Sequence, residues 1–331
     1  MPSFEDLLAC PKCGGPLESS VGPGSLPGST ARLRCGACNE QFAAPGGIPA
    51  LRVPSDPRTE RVREFYSRAP FPGYPPHDSL SALRARAARS EFARRLDESI
   101  PGDALVLELG CGTGQLSLFL ASADRTVVGA DLSRPSLELA SEAGARYGLD
   151  GAHFIETDLR SPGLRRDAFD VVICSGVLHH TPDPRKSFSS VARLVRPGGV
   201  LVIGLYNAYA RLPLRLRRGI ARLTRFRWIP WDPVLRARRG EAARREAWLQ
   251  DQYRHVEEHR HTLREVQTWF RENGVEYVRA FPSALLGGES DELFTRSEDD
   301  WALESWIAQL AWMGALGGEG GLFATIGCRQ S

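Results

Sequence analysis

Lysine is nearly missing from this chain: Lys12 and Lys186 stand against 40 arginines. The imbalance reflects coding bias rather than function, because acids offset the arginines and the formal net charge is only +2. A polyanion-binding role for the chain as a whole is excluded on that ground. No apolar run approaches the roughly 18 residues of a membrane-spanning helix. The N-terminal MPSFEDLLAC has neither a basic leading stretch nor a long apolar core, so a secretory leader is not expected. Internal repeats and low-complexity tracts are absent as well. Cysteine is present without the pattern of a disulfide scaffold. Four of the seven fall in two C-x-x-C pairs, which suits a reduced, metal-binding chain in the cytoplasm. At 331 residues there is room for one large domain and an appendage.

What is present is concentrated in residues 105–115, LVLELGCGTGQ. Five mostly apolar residues suit a buried parallel strand. Three alternating glycines follow, Gly110, Gly112 and Gly114, and then a helical apolar pattern of Leu116, Phe119 and Leu120. Without a Cβ, such a turn can take positive φ and let a ligand lie against the backbone. Strand, glycine turn and helix together make a nucleotide site at the carboxyl edge of an α/β sheet. A dinucleotide fingerprint requires G-x-G-x-x-G. Its third glycine would fall on Gln115 in one register and on Ser117 in the other, so both fail. What stands instead is E-x-G-x-G-x-G, with Glu108 ending the strand. A carboxylate there is a poor neighbour for pyrophosphate and a good one for a cation. Asp131 ends the next strand-like run, Thr126–Asp131, about where an acid grips ribose hydroxyls.

This unit resembles the S-adenosylmethionine site of class I methyltransferases. Further on, VLHHTPDP and an RPGG turn resemble the methyltransferases of ubiquinone and menaquinone synthesis and their small-molecule relatives. The resemblance implies an α/β fold with a Rossmann-like, seven-stranded sheet and S-adenosyl-L-methionine as cofactor. It implies that Glu108 and the loop of Gly110, Cys111, Gly112, Thr113, Gly114 and Gln115 hold the methionine part. Asp131 with Leu132 takes the ribose, and Asp158 with Leu159 the adenine amino group. Ser175, at the end of the strand 169–174, is a further cofactor-binding candidate. Alternating patterns from residue 104 onward support the same sheet, with further strands at 154–156, 200–205, 275–280 and 322–328. Helices are expected from Asp78 or Ser79 to Pro101, over 184–196, after the Thr262/Glu265 capping box, and from Ser297.

Cys10 and Cys13, then Cys35 and Cys38, form two knuckles 21 residues apart. Two-residue gaps let both thiolates of a pair reach one tetrahedral Zn2+, and four thiolates leave no open position, so the metal is structural. Residues 10–53 look like the small zinc-ribbon family whose members activate RNA and protein methyltransferases, which implies a protein partner as one use for the ribbon. The division expected is 1–53, zinc ribbon; 54–103, aromatic arm and leading helix; and 104–331, the S-adenosylmethionine-dependent domain with a basic insertion at 208–261.

Acceptor-side candidates are more scattered. Tyr66 or Tyr74 faces substrate if the aromatic arm folds over the cleft; the alternative is aromatics filling a seam between domains. His179 or His180 can act as general base near neutral pH, and packing is the other use for either. Tyr206 and Asn207 follow the fifth strand, where substrate-facing groups lie in this fold. His255, Val256, Glu257, Glu258 and His259 have H-x-x-E-H spacing, a short match in a frame wrong for a peptidase. With His261 they line the substrate pocket from the insertion's far end. Between Ala208 and Gly240 there are ten arginines and one acid, Asp232. Leu212, Leu216, Ile220 and Leu223 share a helical face there, and Arg215, Arg218, Arg222 and Arg225 another. The favoured expectation is a lid whose apolar side covers the site; the alternative is an anionic surface or RNA held by the arginines. The functional expectation is methyl transfer to a small-molecule acceptor such as a metabolite, lipid or natural product. The alternatives are a zinc-ribbon methyltransferase of rRNA or tRNA, and a non-catalytic cofactor-binding adaptor.

Overall fold

The computed structural model describes residues 2–19, 31–54, 56–68, 70, 78–226, 228–229, 232, 235–236, 245, 248–249, 252–253, 258–284, 292–296, 302–315 and 321–330. Tyr74, His255 and the expected helix start at Ser297 lie outside the described residues. Among the described residues, no helix is long and apolar enough to cross a membrane.

A small antiparallel sheet comes first, in the order β1 (Leu17–Ser19), β2 (Ala31–Cys35), β3 (Gln41–Ala44). The next strand, β4 (Ala50–Leu51), leaves it and pairs in parallel with β7 (Ala152–Thr157) at the edge of the main sheet. The rest of that sheet is β5 (Leu105–Leu109), β6 (Thr126–Asp131), β8 (Phe169–Ser175), β9 (Val195–Tyr206), β10 (Val275–Phe281) and β11 (Leu322–Arg329). The order is β10-β11-β9-β8-β5-β6-β7-β4, with β11 antiparallel to both its neighbours and the other pairs parallel. The seven strands expected of a methyltransferase sheet are therefore all present, and β4 adds an eighth. All of β5 is buried, as its unbroken apolar run requires of a strand covered on both faces. Because chain progression reverses between β5 and β8, the crevice for a ligand opens at the carboxyl end of β5.

The N-terminal unit is welded to this frame. Leu7, Leu8, Leu33, Phe42 and Leu51 belong to the same apolar cluster as Leu107, Leu109 and Ile155 of the main sheet. Ala9 N donates to Gly163 O at 3.0 Å, and Glu156 N to Pro49 O at 2.9 Å. After β4 the chain enters α1 (Pro57–Arg68). Arg52 pins this helix, bonding Glu60 at 2.5 Å and Glu156 of β7 at 3.4 Å.

The leading helix is two helices, α2 (Leu80–Ala87) and α3 (Glu91–Ser99). Ser90 interrupts the pattern because its hydroxyl accepts from Ala93 N at 3.3 Å and starts a second helix. The later helices are α4 (Gln115–Ala121), α5 (Arg134–Tyr147), α6 (Pro184–Ala192), α7 (Leu212–Leu223), α8 (Leu263–Glu272) and α9 (Ala302–Ala315). Helix α6 is shorter than 184–196, because Val195 already pairs with Phe169 in the sheet.

The basic insertion departs most from expectation. On α7 it is Leu214 and Ala221 that are buried, against Tyr253, while Leu216 is 72% and Leu223 87% exposed. The apolar side does not cover the cavity as a lid would. The physical reason is a buried ion cluster: Arg211 and Arg218 both reach Glu258, at 2.7 and 2.5 Å, and so fix which face turns inward.

Candidate active site

A cavity of about 490 Å³ lies at the carboxyl ends of β5, β6 and β8. Its floor is the glycine turn, where Gly110, Gly112 and Gly114 all have positive φ, between 54° and 76°. At Gly110 the absence of a side chain is mandatory: a Cβ would lie 2.0 Å from Val177 Cγ2. Glu108 is buried at the head of the turn, with the Ser117 hydroxyl donating to it. Burial pushes this carboxyl up to about 7, although the hydrogen bonds from Ser117 work against that shift. Asp131 accepts from Gly112 N at 2.9 Å and Ser133 N at 2.7 Å, so it ties the turn to the start of α5. Burial raises the Asp131 carboxyl as well, against those backbone hydrogen bonds.

Of the twelve residues expected to hold a cofactor, ten line this cavity: Glu108, Gly110, Cys111, Gly112, Gln115, Asp131, Leu132, Asp158, Leu159 and Ser175. Thr113 is fully buried, and Gly114 caps α4 with a left-handed backbone; both shape the turn from behind. Asp158 is held by Arg160, at 2.7 Å from Nη2, and Arg160 also bonds Asp56 just before α1. Hydrogen bonds from Thr59 and Arg160 outweigh the burial of Asp56 and bring it down to about 2.

On the acceptor side, the two histidines separate. They lie in a short helical turn, Leu178–His180; His180 lines the cavity, whereas His179 is wholly buried with its ring stacked 3.8 Å from that of Tyr206. Tyr206 lines the cavity too, and its hydroxyl accepts from Gln252 at 2.9 Å. The guanidinium of Arg211 covers the Tyr206 ring at 3.5 Å. Asn207 is turned away from the cavity. Its amide donates to Gln309 at 3.1 Å and its carbonyl accepts from the backbone of Tyr209 and Ala210, which makes it a turn residue. His259 borders a second cavity with His261, Glu265 and Trp269, away from the glycine turn. It is drawn there because its N–H donates to His179 O at 2.8 Å. Tyr66 lines the main cavity from α1.

Residues 107–203 match the family described as methyltransferase domain. An uncharacterized methyltransferase of Mycobacterium tuberculosis (strain ATCC 25618 / H37Rv) is 30% identical over 158 residues, 44% of this chain and 79% of that protein. The chain belongs to the methyltransferase family. Ubiquinone biosynthesis O-methyltransferase of Haemophilus ducreyi is 36% identical to this methyltransferase over 107 residues, 31% of this chain and 45% of that enzyme. The shared stretch is thus under half of that relative's length. Among solved structures, magnesium protoporphyrin IX methyltransferase from Synechocystis PCC 6803 has a TM-score of 0.49 at 17% identity, covering 82% of this chain and 100% of that one.

This methyltransferase also carries the four-cysteine cluster its sequence announces. The sulfurs of Cys10, Cys13, Cys35 and Cys38 all lie within 4.8 Å of one another, with Cys10 to Cys38 at 3.7 Å and Cys13 to Cys35 at 3.5 Å. Four thiolates around one Zn2+ at about 2.3 Å form a tetrahedron with edges of about 3.8 Å, so the donor set fits that ion.

Sequence reasoning missed part of the cavity wall. Thr59, Val62 and Arg63 reach it from α1, and Trp248 and Gln252 from the insertion. The i, i+3, i+4, i+7 spacing of Thr59, Val62, Arg63 and Tyr66 is the signal that would have found the first group. No local signal marks Trp248 or Gln252.

Proposed function

We propose that this chain transfers the methyl group of S-adenosylmethionine to a small-molecule acceptor. The observation that carries the reading is the pair of acids, Glu108 and Asp131, bracketing a turn that admits no side chain at Gly110. The sulfonium would supply an electrophilic methyl group; the protein's share is to hold donor and acceptor in line, which supplies much of the rate in such a displacement. Glu108 and the turn face the methionine part, Asp131 the ribose and Asp158 the adenine. His180 is the candidate base, receiving a proton from the acceptor at its ring nitrogen, while His179 stacks behind Tyr206 as a positioning residue. Tyr66 and Tyr206 form the acceptor's aromatic surround. The ribbon's cysteines hold structural zinc. The parts proposed are a zinc ribbon over 1–53, an aromatic arm and leading helices over 54–103 and the S-adenosylmethionine-dependent domain over 104–331, with the ribbon and α1 as one support for the cofactor side.

Calorimetric titration tests this. S-adenosylmethionine should bind and NAD should not, and Asp131→Ala should weaken binding between about tenfold and a hundredfold, the worth of losing a charged hydrogen-bond acceptor. Binding of NAD in place of S-adenosylmethionine, or unchanged affinity in the variant, sinks the assignment.

The raised carboxyl of Glu108 makes cofactor affinity depend on pH. Below about 7 the free protein holds a proton there that a bound cation must expel, so affinity should fall up to tenfold per pH unit as the solution is acidified below 7 and level off above it. For stability the sign is opposite to that of an ion-paired acid. The folded state binds this proton more tightly than the unfolded chain, so the free protein loses about 3 kcal/mol as pH rises from the ordinary glutamate range through 7. Titrations at several pH values check this, with Glu108→Gln as comparison: the variant should bind more weakly and lose the slope that belongs to Glu108.

A second reading, transfer to RNA, is favoured by one feature. A cleft between the first cysteine knuckle and the turn after β7 is lined by Lys12, Arg165, Arg166 and Arg193. Labelled methyl groups appearing in RNA rather than in small-molecule extracts would support it.

A further inference from the structure

We infer that the outer face of α7 docks on an anionic lipid bilayer and that the acceptor is an apolar molecule drawn from that bilayer. The second half of this inference rests on the methyl-transfer reading; the first half does not.

Helix α7 is amphipathic and buries Leu214 and Ala221, yet it leaves its other leucines, Leu212, Leu216 and Leu223, in solvent. Its inner contacts are Leu214, Ala221 and the Arg211–Glu258–Arg218 cluster, while Leu216 and Leu223 stand 72% and 87% exposed, Leu212 38% and the following Trp228 54%. Leaving a leucine in water forgoes the free energy its burial would supply, so an exposed row of them one and two turns apart is a surface with an occupant. Arg215 and Arg222 are exposed on the flank of that row. A single acid among ten arginines over residues 208–240 leaves the surroundings strongly positive.

Charge decides among occupants. A second copy meeting this face through a two-fold axis would bring its own arginines against these. RNA would take the arginines but has no use for an aliphatic ridge. An anionic bilayer satisfies both, taking leucines and tryptophan at the acyl boundary and arginines at the headgroups. The docked face is also joined to the reaction site. Arg211, at the start of α7, lies 3.5 Å over the ring of Tyr206, which lines the main cavity, and Trp248 and Gln252 of the same insertion form part of its wall.

The test is co-sedimentation of the full chain with vesicles of phosphatidylcholine alone and of phosphatidylcholine containing about one-third phosphatidylglycerol. The wild type should pellet with the anionic vesicles and bind neutral ones, or anionic ones in high salt, at least tenfold more weakly. Leu216→Gln with Leu223→Gln preserves charge at exposed positions. It should cut binding to anionic vesicles about tenfold while leaving melting temperature and S-adenosylmethionine affinity unchanged. Wild type that stays in the supernatant overturns the inference. So does a concentration-dependent dimer abolished by the double variant, or binding to RNA that the double variant retains in the absence of vesicle binding. Because S-adenosylmethionine titration is run on the same preparation, failure to bind vesicles with intact cofactor binding refutes the docking face alone. Vesicle binding without cofactor binding refutes the methyl-transfer reading alone.

Discussion

Gly110→Ala is expected to destabilise the protein by about 3 kcal/mol and to remove cofactor binding. Two costs combine. An alanine at φ +76° carries roughly 1–2 kcal/mol of left-handed backbone strain. Its Cβ would also lie 2.0 Å from Val177 Cγ2, an overlap no side-chain rotation at alanine can relieve, and overpacking of this kind costs typically 1–3 kcal/mol. Relief by backbone movement shifts the turn on which Glu108 and Asp131 converge, so the cofactor loses its seat even in molecules that fold. Thermal unfolding should show a melting temperature lower by about 6 °C. Gly148→Ala isolates the first cost: that residue caps α5 at φ +67° with nothing within 4 Å of its would-be Cβ, so the smaller penalty should appear alone. Adding Val177→Ala to Gly110→Ala should recover part of the lost stability. A variant that melts like the wild type and binds S-adenosylmethionine normally would mean that the turn is not built as described.

Loss of the zinc proposed for the ribbon should reach the active site. Cys10→Ser or Cys13→Ser is expected to lower zinc from about one ion per chain to near zero, because a three-thiolate set holds the ion far less well at neutral pH. The consequence follows the chain. Without the metal the small sheet loses its main organiser, and β4 loses the anchor that holds Ala50–Leu51 against β7. Helix α1 starts six residues after Leu51 and brings Thr59, Val62 and Tyr66 to the cavity. Loosening β4 therefore frees α1, and S-adenosylmethionine affinity should fall about tenfold though no described residue of the ribbon lines that cavity. Metal analysis with hydrogen exchange checks both steps: β2, β3 and β4 should lose protection while β5 and β6 keep theirs. If zinc is lost and affinity does not move, the tie from Arg160 to Asp56 holds α1 without the ribbon.

How much of this was legible beforehand depends on the distance over which each feature is specified. Residues 105–115 announced strand, turn and helix because a run of apolar residues, three glycines and a helical repeat are each read within a few positions. Asp131 ends β6 and Asp158 directly follows β7, so both positions could be read along the chain, while the adenine role of Asp158 came only from the methyltransferase resemblance. The histidine pair shows the limit: neighbours in sequence, they differ only in what packs on them, and stacking on Tyr206 takes His179 out of the cavity. Asn207 sits beside a cavity residue but is turned away by Gln309, 102 positions later.

The glycine turn, the two acids around it and the four-thiolate set were written into the chain, because spacing along a strand or a knuckle fixes those side chains relative to one another whatever surrounds them. Only packing settles that the ribbon contributes a strand to the main sheet, that α1 lines the cavity, and that α7 buries Leu214 while leaving Leu216 and Leu223 outward. Each of these is a choice of neighbour. An amphipathic pattern states that a helix has two faces, and only the buried Arg211–Glu258–Arg218 cluster, formed between residues 40 and 47 positions apart, settles which of them points in.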